Sequence, residues 1–167
     1  MADLFLQSSA DIRGPYRYNL ERRWGPGRAF VVIGCNPSTA DATTDDPTIR
    51  RCVGFARSHG CDALVMVNLF AWRATDVAEL GGNHGDVVGP ENDGAILVAC
   101  LTGDPLVVCA WGSRAKLPPR RRSRCDELVA LLRQHEVELH TLARTAAGGP
   151  GHPLYLPSAL RAEVWGG

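Results

Sequence analysis

Three short apolar runs constrain this chain more than any other feature. Residues 29–33 stop at Gly34, residues 63–67 stop at Asn68, and residues 106–111 stop at Gly112. Runs this short and continuous read as strands buried on both faces, because a half-exposed strand alternates apolar with polar residues. Between the first two runs, apolar residues at 49, 52, 53 and 56 fall at helical spacing. They predict a helix over 47–57, with Asp46 as N-cap and Pro47 at the first helical position. Further helices are expected at 93–100 and 120–135, a weaker fourth strand at 137–142, and a short helix at 157–164. Residues 14–28, rich in Arg, Tyr, Gly and Pro, read as an extended or hairpin-like lead-in. Strands alternating with helices predict an α/β fold: a three-layer α/β/α sandwich around a central, mostly parallel four-stranded sheet. At 167 residues the chain suits one domain, 1–167, with 1–28 as an N-terminal extension.

Charge and composition narrow the function classes. Eighteen Lys and Arg balance eighteen Asp and Glu, so bulk charge does not hold this chain to a nucleic acid, although charge can cluster locally. No run of 18 apolar residues is present, and no membrane partner is expected. The first residues show neither a basic region nor a long apolar stretch of the kind a leader carries, so the expected location is cytoplasmic. The six cysteines show no knuckle spacing and several sit in apolar runs, which reads as buried free thiols rather than disulfides, a metal site or an iron–sulfur cluster. No cofactor is expected: neither a phosphate-binding Walker loop nor a dinucleotide fingerprint occurs. A monomer is the default.

In parallel sheets, ligands bind outside the carboxyl ends of the strands. That rule picks out Asn36, Asn68, Trp111-Gly112-Ser113 and His152, which should gather on one edge. Gly34 allows close backbone approach and Pro37 restricts Asn36, so the turn Gly34-Cys35-Asn36-Pro37-Ser38 holds its amide in place. That amide can orient a water, or tether its own loop. Asn68, ending a very apolar strand, suits reading the edge of a planar ligand such as a nucleobase. Phe70 and Trp72 can stack on a base, with core packing as the equal alternative. His152, in a Gly/Pro-rich loop, can donate to a developing anion or act as acid or base. Asp41, Asp45 and Asp46 can bind a metal through oxygen, but capping and solvation are favoured. Arg50, Arg51, Arg57, Arg73 and the cluster Arg120 to Arg124 can contact phosphates or form a solvated face.

Several of these segments look like a bacterial and phage family, domain of unknown function 1643. They are Arg22-Arg23-Trp24, Asn36-Pro37-Ser38-Thr39-Ala40-Asp41, Asp46-Pro47-Thr48-Ile49-Arg50-Arg51, Val67-Asn68-Leu69-Phe70-Ala71, Ala110-Trp111-Gly112 and His152-Pro153-Leu154-Tyr155. The resemblance spans about residues 17–157. The order of motifs also resembles the uracil-DNA glycosylase superfamily, and this resemblance implies that superfamily's fold. Gly34-Cys35-Asn36-Pro37 is similar to the turn that positions the attacking water. Val65-Met66-Val67-Asn68 is similar to the strand whose Asn reads uracil, and Trp111-Gly112-Ser113 to a third strand end. His152-Pro153-Leu154 is similar to the loop whose His supports the leaving base, with Leu154 where the superfamily has Ser.

The resemblance implies a DNA glycosylase-like N-glycosidic hydrolase acting on an altered or uracil-like base, with DNA or a nucleotide as partner. Asn36 and His152 would be catalytic. Gly34, Cys35, Pro37, Ser38, Asn68, Phe70, Trp72, Trp111, Gly112 and Ser113 would bind substrate. Arg114, Arg120, Arg121, Pro153 and Leu154 would contact nucleic acid. The rival expectations are a non-catalytic module for a modified base or nucleotide, and a base-modification enzyme using the same pocket. The arginines at 114–124 discriminate: facing the edge that carries Asn36 and His152 they favour a polynucleotide, and facing away they favour a small ligand.

Overall fold

The computed structural model describes residues 5–167. The expectation about a leader falls partly on residues 1–4, outside the described residues. The fold is mixed α/β. Seven strands form one sheet: β1 (Gln7–Arg13), β2 (Tyr16–Arg23), β3 (Ala29–Gly34), β4 (Ala63–Asn68), β5 (Leu106–Cys109), β6 (His140–Thr141) and β7 (Glu163–Val164), in the order β1-β2-β4-β3-β5-β6-β7. The helices are α1 (Pro47–Ser58), α2 (Asn92–Leu101) and α3 (Ser123–Gln134). No helix of the described residues is long and apolar enough to cross a membrane.

The apolar runs form the strands they predict, and they pair in parallel: β3 with β4, β3 with β5, and β5 with β6. Their side chains alternate between two core clusters. Val31, Ile33, Val67, Val107 and Cys109 join residues of α2 and α3, while Phe30, Val32, Leu64, Met66 and Val108 join residues of α1. Burial on both sides is why the runs carry no polar alternation. Helix α1 starts as expected: Asp46 accepts from the Ile49 N–H (2.8 Å) and Pro47 opens the helix. All six cysteines are free.

Two expectations need correction. The sheet has seven strands rather than four, because both outer edges of the parallel set are covered. The hairpin β1–β2 turns at Gly14 (φ +57°) and lays β2 antiparallel on β4, and β7 pairs antiparallel with β6. Covering an edge satisfies backbone groups that would otherwise face outward. The helix expected at 157–164 does not form; that stretch runs out into β7. Its end carries Trp165 into the core, where the ring meets Trp111 edge-on at 5.5 Å and Nε1 donates to the Gly148 carbonyl (3.1 Å). Burial of that ring outweighs the helical propensity of 157–164.

Candidate functional site

Strand β3 sits between β4 and β5 and leads into α1 on one face of the sheet, whereas β4 and β5 lead into α2 and α3 on the other. That switch point opens a crevice at the carboxyl ends of the strands. A cavity of about 860 Å³ occupies it, lined by Gly34, Cys35, Asn36, Ser38, Asn68, Trp111, Gly112, Ser113, His152 and Leu154 among others.

The loops are fastened so that these side chains converge. The Asn36 Nδ2–H donates to the Ala74 carbonyl (2.7 Å) and to the Pro37 carbonyl (3.2 Å), and the Ala74 N–H donates to Pro37 (2.9 Å). The nitrogen of Asn36 thus staples the β3 loop to the β4 loop, and Oδ1 remains as an acceptor. Gly112 adopts φ +81°, which favours glycine, and its N–H donates to the Pro150 carbonyl (2.8 Å). Gly151 donates to Ala143 (2.8 Å), so the His152 loop is held from the ends of both β5 and β6.

Asn68 is held differently. Its backbone carbonyl accepts from the Asn92 side chain (3.0 Å), and the next carbonyl, that of Leu69, accepts from Asn92 (3.1 Å) and from Arg124 Nε (2.9 Å). Its own amide is buried, and neither Nδ2 nor Oδ1 has a partner. Oδ1 and the Met66 Cε each lie 2.7 Å from where a Cβ on Gly34 would be, so only glycine leaves room for them. The flexible Met66 side chain also lines the cavity, and its Cε shares with the Asn68 Oδ1 the space that a Cβ on Gly34 would take.

In His152, Nδ1 accepts from the Leu154 N–H (3.2 Å), so the neutral ring carries its proton on Nε2. Burial first, then the Lys116 ammonium, push its pKa below 6.5 against the opposing pull of Asp46. At neutral pH the ring is an uncharged Nε2–H donor. Burial pushes the Cys35 thiol up to about 12, which makes it a poor nucleophile.

Other residues go elsewhere. Pro37, Phe70, Trp72, Pro153, Arg114, Arg120 and Arg121 do not line the cavity. Phe70 is fully buried in the core and Trp72 stacks on His84, so the packing alternative describes both. Arg114 pairs with Asp126, Arg120 donates to the Gly81 and Gly82 carbonyls, Arg121 to Leu80 (2.9 Å), and Arg122 to Leu117 (3.2 Å). The acidic trio is likewise engaged: Asp41 accepts from the Thr43 and Thr44 N–H groups, Asp45 pairs with Arg22, and Asp46 caps α1. Among the described residues no group of three His, Cys, Asp or Glu is placed to hold a metal ion.

The cavity also holds residues that the sequence did not single out: Arg17, Met66, Asp76, Lys116, Arg144 and Tyr155, with Asp46 adding a carboxylate beyond its capping role. Arg144 follows the fourth strand and Lys116 lies three residues past Ser113, so the strand-end rule extends to both. Arg17 sits on β2, where no sequence signal marks it.

The fold and crevice define a mixed α/β protein with a cavity at the carboxyl ends of its parallel strands. The chain belongs to the family described as protein of unknown function (DUF1643), whose model matches residues 17–154. No curated protein and no solved structure matches it.

Proposed function

We propose that the cavity binds a nucleobase and that this chain is a glycosylase-like N-glycosidic hydrolase for an altered or uracil-like base. The proposal includes the finer architecture, a three-layer α/β/α arrangement like that of the uracil-DNA glycosylase superfamily. The observation that carries it is the Asn68 amide. A donor and an acceptor, side by side, buried and both unsatisfied, cost stability unless something uses them. The amide edge of a pyrimidine supplies the complementary acceptor and donor. Both Asn68 atoms are buried, so access requires a neighbouring side chain to move, and Met66, unbranched and on the same cavity, is the readily moved one.

Cleavage of the N-glycosidic bond leaves negative charge on the base and positive charge on the sugar. The Nε2–H of His152 would donate to the leaving base, its tautomer fixed by the Leu154 N–H. The Asn36 Oδ1 would accept a hydrogen bond from the attacking water. An amide does not take a proton at neutral pH, so positioning and electrostatics carry the rate. The Asp46 carboxylate lines the same cavity and can accept the water's proton.

The test is incubation with nucleotides and oligonucleotides carrying uracil and other altered bases, with detection of free base. Release abolished in Asn68→Leu and reduced in Asn36→Ala and His152→Ala supports the hydrolase. Asn68-dependent binding without release identifies a non-cleaving module. Neither binding nor release sinks the nucleobase reading.

A further inference from the structure

We infer that Arg17 forms an anion subsite in this cavity, and that the occupant is a mononucleotide held by its phosphate as well as its base. The inference rests on the nucleobase reading and adds the substrate class.

Three arginines are buried among the described residues: Arg17, Arg22 and Arg124, at 2%, 1% and 5% exposure. The two away from the cavity are paired. Arg22 bonds Asp45 through Nε (2.9 Å) and the Glu21 carbonyl through Nη1 (3.0 Å), and Arg124 bonds Asp93 and the Leu69 carbonyl. Arg17, which lines the cavity, has no carboxylate within ion-pairing distance. Its guanidinium donates to the Ala40 carbonyl (2.9 Å), and Nε has no partner. A buried charge without a counterion is costly, and this protein avoids it at its two structural arginines.

The charged lining of the cavity holds three cations, Arg17, Lys116 and Arg144, against two carboxylates, Asp46 and Asp76, so its balance is positive. Burial, with Arg73 and Arg22 nearby, holds the Arg17 pKa down to about 10 against the pull of Asp46, so it stays charged at neutral pH. Lys116 and Arg144, exposed and without ion-pair partners among the described residues, stand in the same lining. A planar guanidinium with free N–H groups matches a phosphate in geometry and charge. The arginines at 114 and 120–122 that could have guided a duplex are spent on Asp126 and on backbone carbonyls, and none lines the cavity. The charge therefore lies inside the pocket, which suits a small phosphorylated ligand better than a polymer.

The experiment measures binding of the five common deoxynucleosides, deoxyuridine included, and their 5′-monophosphates to the full chain by calorimetry. Ribose 5-phosphate and a uracil-containing single-stranded oligonucleotide serve as further probes. At least one monophosphate should bind roughly 10- to 100-fold more tightly than its nucleoside, as charge-assisted hydrogen bonds predict. Arg17→Met should bring that ratio near one, because the monophosphate loses far more affinity than the nucleoside. If Arg17→Met does not fold, the wild-type ratio and Arg17→Lys, which keeps charge but loses the fork, decide. A wild-type ratio near one, or a ratio unmoved in Arg17→Met, overturns the subsite even where Asn68-dependent nucleoside binding upholds the base reading. Ribose 5-phosphate binding as well as every nucleotide, through Arg17, upholds the subsite and removes the base reading. Tighter binding of the oligonucleotide than of any mononucleotide overturns the mononucleotide, and no binding by any probe overturns both.

Discussion

Asn68→Leu should make the protein more stable and useless. Leucine copies the branched shape of asparagine, so it fits the space beside Gly34 without leaving a cavity. It removes two buried polar atoms that have no partners in the free protein. Each such group costs about 1–3 kcal/mol when left unsatisfied. Polar partners reached by small motions recover part of that, so the net gain should be about 1–3 kcal/mol. For a chain of this size that is a rise in Tm of roughly 2–12 °C. Urea titration should show a higher midpoint with an unchanged slope, because the surface exposed on unfolding is the same. Binding of any base should be lost. Asn68→Asp provides the contrast: it places a charge where the amide has no cation partner, and should destabilise while also losing binding. The reasoning fails if Asn68→Leu lowers Tm by several degrees, because the amide would then be satisfied inside the free protein and its role would be structural.

Gly34→Ala should cost about 1–3 kcal/mol, since its Cβ would sit 2.7 Å from both the Asn68 Oδ1 and the Met66 Cε, and ligand affinity should fall with it; melts and binding titrations check both. Arg22→Met should destabilise by about 3 kcal/mol in urea unfolding, because it strands Asp45 beside a buried gap, whereas Arg17→Met should cost far less because it breaks no ion pair. The pH dependence follows from His152. Its pKa lies below 6.5 in the folded chain, so the unfolded chain binds the proton first as pH falls, and the stability it contributes is complete above pH 6.5 and lost as pH drops through the folded value. An activity that needs the neutral ring should persist below pH 6.5. Lys116→Met, which removes a repelling charge, should move that acid limb to higher pH in a rate profile.

The parallel strands, the start of α1 and the gathering of strand-end residues were legible in the sequence because each depends on local pattern: continuous apolar runs, an Asp-Pro cap, and the rule that sites follow strand carboxyl ends. The edges were not legible. Pairing of β2 with β4 and of β7 with β6 joins segments far apart in the chain, and the tail is drawn out by the burial of Trp165 rather than by its own propensity. The backbone tethering by the arginine cluster was illegible for a related reason. A run of charges reads as an outward face, yet Arg120, Arg121, Arg122 and Arg124 all donate to backbone carbonyls. A guanidinium has five donors and a long apolar stem, so it can tie down loops as readily as it can meet phosphate.

What separates those two uses is whether the donors are already spent, and sequence does not carry that information. Arg22 and Arg17 lie five residues apart on the same strand and are buried alike, yet one is ion-paired and the other has an unused Nε beside a cavity. A partial contrast holds among buried amides, since the Asn92 Oδ1 also has no partner but lies away from the cavity. Asn92 spends its Nδ2 on two carbonyls at the end of β4, and that outlay fixes the backbone from which the Asn68 amide projects with both ends free. Donors already bonded to backbone hold the frame, and the unpartnered groups on the cavity, Asn68 and Arg17, are where a ligand with an amide edge and an anion would complete the structure.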